Sequence, residues 1–102
     1  MTLKITYEQA VPPEYLYHGT ATKSLDGIMR EGILPGKRSY VHLSLDVETA
    51  TKVGSRHGKP IILKIHAKAM HDYGHIFYLS ENNVWLADLI PPPFFEIYYA
   101  KI

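Results

Sequence analysis

Two histidines and two arginines carry the chemistry this sequence could do. His18 stands in LYHGT and His42 in YVHLS, and each run leads within a few residues into a segment with helix-start signals. An imidazole there offers a hydrogen bond to ribose hydroxyls or to a carboxamide near neutral pH. Taken singly, each reads first as an ordinary histidine satisfied by its surroundings. If the two strands are neighbours, the rings line one cleft. Arg38 in PGKRSY and Arg56 in GSRHG lie in loops containing glycine. A guanidinium has planar paired donors that match two phosphate oxygens at once. The plain alternative for each is an exposed arginine with no ligand.

Other chemistries fare worse. His66, His71 and His75 are close in sequence, but spacings of five and four residues put them on no common helix face, and no HExxH pattern occurs. No metal site is expected. Ser44 is near His42, yet there is no G-x-S-x-G elbow. Neither the dinucleotide-binding glycine pattern nor the phosphate-loop pattern is present.

The elements that must position these groups follow from patterning. Leu3–Tyr7 alternates with the period of a half-buried strand, and Pro12-Pro13 interrupts it. Tyr15–His18 is a second short strand that Gly19 should end. Thr22 or Ser24 can cap a helix over Leu25–Glu31, whose apolar Leu25, Ile28 and Met29 share a face, and Gly32 supplies the stop. Tyr40–Leu45 reads as a strand with Val41, Leu43 and Leu45 on one side and Tyr40, His42 and Ser44 on the other. Asp46 caps a helix running through Val47, Ala50 and Val53, with Gly54 near its end, and SRHGKP follows as a loop. Pro60 opens the strand IILKI. Lys68–Tyr73 has no clear pattern. Ile76–Leu79 and Val84–Leu89 are strands about the Glu81-Asn82-Asn83 turn. Pro91-Pro92-Pro93 is a stiff connector before a last strand, Phe94–Ala100. Trp85 is expected in the core, with Val84 and Leu86 on the opposite face. Strands mostly in runs, with two short helices near the start, predict an α+β domain with a largely antiparallel or split sheet.

The totals agree. A chain of 102 residues, 46% hydrophobic, forms one domain with one core. There is no cysteine, which excludes disulfides and thiolate metal sites. The apolar runs PIILKI and VWLADLI fall far short of the roughly 18 residues a membrane helix needs. The start, MTLKITYEQA, does not read as a secretory signal, so the expected compartment is the cytoplasm. Residues 22–64 hold eight basic and four acidic side chains, a local +4 within a net +1. A basic middle suits a phosphate-bearing partner, although a solvated helix face reads the same way.

Taken in order, LYHGT, YVHLS, a helix ending in VGSRHGKP, GHIFYLSENNVWL and IPPPFFE resemble the C-terminal lobe of the RNA 2′-phosphotransferases, over about Pro12 to Glu96. The resemblance implies an ADP-ribosyltransferase-like split β-sheet that binds NAD. It implies a monomer acting on RNA with an internal 2′-phosphate, such as the splice-junction phosphate of a ligated tRNA. In that family the phosphate attacks C1″ of the nicotinamide ribose and expels nicotinamide. The RNA-2′-phospho-ADP-ribose then cyclises to ADP-ribose 1″,2″-cyclic phosphate and frees the RNA 2′-hydroxyl. By resemblance, His18 and His42 are the NAD-contacting histidines, with Gly19, Thr20, Ser44 and Val84 also at NAD-contact positions. Val84 stands where many ADP-ribosyltransferases carry a glutamate, and a phosphate nucleophile needs no such base. Arg56 matches a catalytic arginine, and Arg38 matches the arginine before VHLS, both implied phosphate contacts. Tyr40 departs from a frequent histidine. Family enzymes also carry an N-terminal winged-helix lobe that supplies an Arg-His pair and a further arginine. The expectation is therefore a lobe of a longer enzyme. The rivals are a catalytically silent NAD or ADP-ribose binding lobe and a small ADP-ribosyltransferase with another target.

Overall fold

A computed structural model describes residues 7–99. Among these residues seven strands form two antiparallel sheets. The first has the order β1 (Glu8–Gln9), β5 (Phe77–Leu79), β6 (Trp85–Ala87), β3 (Val41–Leu43). The second has the order β2 (Tyr15–Ala21), β4 (Pro60–His66), β7 (Phe95–Ile97). Helices α1 (Leu25–Glu31), α2 (Val47–Ser55) and α3 (Ala67–Asp72) connect them. The α+β class and the split, antiparallel sheet predicted from patterning are what the chain forms. No helix among the described residues is long and apolar enough to cross a membrane.

One apolar cluster joins the sheets. Val41, Leu43, Phe77, Trp85 and Ala87 from the first sheet share it with Leu16, Leu63, Ile65 and Phe95 from the second. Each such aliphatic side chain, taken from water to the interior, contributes about 1.5–3 kcal/mol. β4 is central in its sheet, pairing Tyr15–Ala21 on one side and Phe95–Ile97 on the other. Its Leu63 and Ile65 are fully buried in the cluster, while Lys64 and His66 on the other face are half-buried.

The sheets also meet through backbone. The amides of Tyr17 and Ser44 exchange hydrogen bonds of 2.8 Å each, which stitches β2 to the end of β3. A second isolated bridge, Ile33 to Ile90, closes the loop after α1.

Local signals placed most boundaries. α1 spans the expected residues and Gly32 ends it at φ +91, a left-handed conformation that suits glycine. No side chain caps its start, so neither Thr22 nor Ser24 has the expected role; a short 3-10 turn, Thr22–Ser24, leads in instead. Asp46 does cap α2, accepting from the Thr49 amide at 2.7 Å.

Several expectations change. Gly19 does not end β2; it pairs with Ile62 and the strand runs to Ala21. The strand around His42 is shorter than expected, and Leu45 is exposed instead of facing inward with Val41 and Leu43. The residues of β6 are buried on both faces, so Leu86 joins Trp85 inside. The segment with no clear pattern, from Lys68, is helical, and its Ala67 and Met70 are fully buried. Part of the proline run forms a 3-10 turn, Pro92–Phe94, which delays the last strand to Phe95. The Leu3–Tyr7 strand falls at residues 3–6 outside the described residues, and Tyr7 itself lies in no strand.

Candidate active site

His18 and His42 meet where the two sheets are stitched together. His18 follows Tyr17 in β2, and His42 lies two residues before Ser44. The Nδ1–H of His18 donates to the backbone carbonyl of His42 at 3.0 Å. Arg38, in the turn that leads into β3, donates from Nη1 to His42 Nδ1, also at 3.0 Å. Arginine, histidine, backbone and histidine thus form one continuous chain of hydrogen bonds. Val84 immediately precedes β6 and Ser44 immediately follows β3, one step beyond the Leu43–Trp85 pair. The predicted residues Ser44, Val84, His18 and His42 are therefore brought to one seam.

Both imidazoles are pushed toward neutrality. Burial holds the His18 pKa below its ordinary value, with the positive potentials of His42 and His57 adding to it; the bond to the His42 carbonyl partly opposes this. His42 is also lowered, by desolvation first and by the Arg38 charge second. Neutral rings suit hydrogen bonding to an uncharged polar ligand.

A cleft of about 310 Å³ opens beside His18. Thr20 lines it with His18, and Gly27, Ile28 and Glu31 of α1 form its opposite wall. Helix α1, which follows the His-Gly-Thr run, thus borders this cleft. Gly19 sits hard against helix backbone. A Cβ there would stand 1.7 Å from the Ala50 carbonyl oxygen and 2.9 Å from the Gly54 nitrogen. Its close approach is to the backbone of α2, and this seats β2 against that helix.

The two arginines separate. Arg38 is tied to His42. Arg56 is exposed at the C-terminal end of α2, where its amide donates to the Val53 carbonyl at 3.2 Å. The RHG turn lies against the end of β2: a Cβ at Gly58 would stand 3.7 Å from the Ala21 Cβ, and the next carbonyl, of Lys59, accepts from the Thr22 amide at 3.0 Å. His57, Gly27, Ile28 and Glu31 were missed in the sequence. The RHG motif was the one available signal, and only its arginine stood out; α1 was read for its apolar face, and its charged residues suggested only a solvated surface.

The remaining histidines have separate surroundings. His66 contacts Glu96 at 2.8 Å and lies edge-on to Tyr15. His75 packs against Phe94. His71 Nδ1 is 3.8 Å from the Asp72 carboxylate. Among the described residues no group of three or more His, Cys, Asp or Glu side chains could hold a metal.

The chain resembles known proteins over most of its length. Residues 2–89 match the family described as RNA 2′-phosphotransferase, Tpt1 / KptA family. A probable RNA 2′-phosphotransferase of Pectobacterium carotovorum is 56% identical over 90 residues, covering 88% of this chain and 48% of that protein. One from Hahella chejuensis is 58% identical over 86 residues, covering 84% of this chain and 46% of that protein. One from Pseudomonas aeruginosa is 50% identical over 90 residues, covering 88% and 50% respectively. The chain spans about half the length of these curated relatives. On this match, and with its two motif histidines joined at one seam, the chain belongs to the RNA 2′-phosphotransferase family.

Proposed function

We propose that this chain is the NAD-binding lobe of an RNA 2′-phosphotransferase with an ADP-ribosyltransferase-like fold. Its substrates are NAD and an RNA carrying an internal 2′-phosphate, as at a tRNA splice junction. The observation that carries the reading is the bond between His18 and His42 beside an open cleft. Two neutral imidazoles with polar neighbours suit the hydroxyls of a ribose. The cleft has room for one end of a dinucleotide, with Thr20 and the α1 wall around it. Ser44 and Val84 lie at the neighbouring seam between the sheets, and Gly19 contributes by fixing β2 against α2.

In the reaction an oxygen of the RNA phosphate bonds to C1″, and the bond from C1″ to the nicotinamide nitrogen breaks. Nicotinamide leaves as a neutral molecule with that electron pair. The nucleophile is already an anion, so a valine at position 84 removes nothing the step needs. The protein's task is to hold the ribose and to balance phosphate charge. Between the two arginines the geometry favours Arg38 as the principal phosphate contact, because it is anchored beside His42. Arg56, exposed on the RHG turn, is the second. Fixed cationic donors at a transferred phosphate are worth several kcal/mol in such reactions, on the order of 3 kcal/mol each.

The test is a calorimetric titration with NAD, followed by a 2′-phosphorylated RNA and an assay for nicotinamide. NAD binding with nicotinamide formed only when the RNA is present supports the proposal in full. Binding without release supports a silent lobe. Release that needs no 2′-phosphate supports an ADP-ribosyltransferase with another target. No NAD binding, by this chain or by one carrying the other half of its relatives' length, refutes the reading.

A further inference from the structure

We propose that Arg38 is the positioning residue for His42, holding that ring in the one tautomer whose remaining donor is Nε2–H. A guanidinium has five N–H donors and no acceptor. Its Nη1 lies 3.0 Å from His42 Nδ1, so only the bare lone pair of that nitrogen can meet it. A neutral imidazole with Nδ1 bare has its proton on Nε2.

The partner ring takes the opposite sense. A backbone carbonyl only accepts, so the 3.0 Å contact from His18 Nδ1 to the His42 oxygen puts the His18 proton on Nδ1. His18 Nε2 is then a bare acceptor. The pair presents one acceptor and one donor, the complement of two neighbouring hydroxyls that give and take one hydrogen bond each. With the tautomers scrambled, the pair would lose that match without moving an atom of the backbone. The lowered pKa of both rings favours the neutral forms this arrangement needs.

Arg38 is itself fixed. Its amide donates to the Pro35 carbonyl at 3.1 Å, which closes the turn before β3. Tyr40, between Arg38 and His42, packs against Tyr78 at 5.4 Å and Tyr7 at 5.7 Å between ring centroids. The guanidinium is thereby presented to the ring from an anchored loop, on the residue four positions before it.

The role in ligand binding rests on the proposed function; the tautomer is a property of the free chain. The experiment uses the chain with ¹⁵N-labelled histidine and long-range proton–nitrogen NMR at neutral pH, without NAD. We expect wild-type His42 protonated on Nε2 alone. In Arg38→Met, which keeps the apolar stem and loses the donor, we expect a mixture of tautomers. Arg38→Lys, which restores a cationic donor, should recover most of the wild-type state. NAD titrations of the same samples, without RNA, should show affinity about tenfold weaker in Arg38→Met, the loss of one well-oriented hydrogen bond. Lysine should recover part of it. A His42 protonated on Nδ1 in the wild type overturns the assignment, even where a variant fails to fold. So does an unchanged tautomer in Arg38→Met. A scrambled tautomer with unchanged NAD affinity also overturns it, because His42 would then be orienting nothing. If the tautomers change as expected and NAD binds to no form of the chain, the proposed function fails and the tautomer assignment stands.

Discussion

Replacing Gly19 by alanine should damage the protein far more than one methyl group ordinarily does. The added Cβ would stand 1.7 Å from the Ala50 oxygen and 2.7 Å from the Ala50 carbon. A normal carbon–oxygen contact is about 3.2 Å, so α2 must retreat by about 1.5 Å (3.2 less 1.7) or β2 must buckle. The obstacle is helix backbone, which has no flexible end to swing aside. Overpacking of this kind costs about 1–3 kcal/mol and occasionally more. The depth of this overlap places Gly19→Ala at about 3 kcal/mol or above. In a domain of this size each kcal/mol moves the melting temperature by about 4–8 °C, so the loss should be about 12 °C or more. Far-UV circular dichroism with heating and with urea reads both quantities. Gly27→Ala is the control: a Cβ there meets nothing within 4 Å, and mid-helix alanine should stabilise by about 0.5–1 kcal/mol. If Gly19→Ala melts within about 3 °C of the wild type, the reasoning from that contact is wrong.

Other outcomes can be checked on the same material. His18→Ala should weaken NAD binding measured by calorimetry, and an unchanged affinity would return His18 to an ordinary histidine. Leu63→Ala should cost about 2–5 kcal/mol in urea unfolding, since Leu63 is fully buried at the centre of β4; a loss under about 1 kcal/mol would contradict the packing. Stability should also fall on mild acidification. His18 and His42 have folded pKa values below the ordinary 6.5, so the unfolded chain binds more protons as pH falls below that value. Their contribution is complete above pH 6.5 and is lost as pH falls through the folded values. Urea midpoints that are flat between about pH 7 and 5 would count against it.

Much of this molecule is legible in its sequence, and the exceptions have physical causes. Asp46 reads as a cap because an aspartate before an amphipathic stretch has a defined task at a helix start. Gly32 reads as a stop for the same local reason. Leu45 misled because alternation continues one residue past the point where pairing ceases, and the pattern holds no record of the missing partner. β6 misled because a strand covered on both faces loses the alternation that would reveal its sides. The helix at Ala67–Asp72 has six residues, too few to show a period. At the site, the motif histidines were visible by type. Their joining was not, because it depends on a pairing between residues 17 and 44 that no local pattern encodes. The fit of Gly19 against a helix 31 residues on, at Ala50, is likewise a long-range contact that no local pattern encodes.

The reciprocal pair of backbone hydrogen bonds between Tyr17 and Ser44 gives the two histidines a fixed gauge. Most ligand-binding pairs ride on side-chain rotamers and loops, and can drift apart at little cost. Here the separation is written into the main chain, one residue from His18 and two from His42. A ligand that wanted the imidazoles further apart would have to break backbone hydrogen bonds to obtain it. On the proposed function the site measures its ligand instead of moulding to it, and amide exchange at Tyr17 and Ser44 is a direct readout of how firmly the gauge is held.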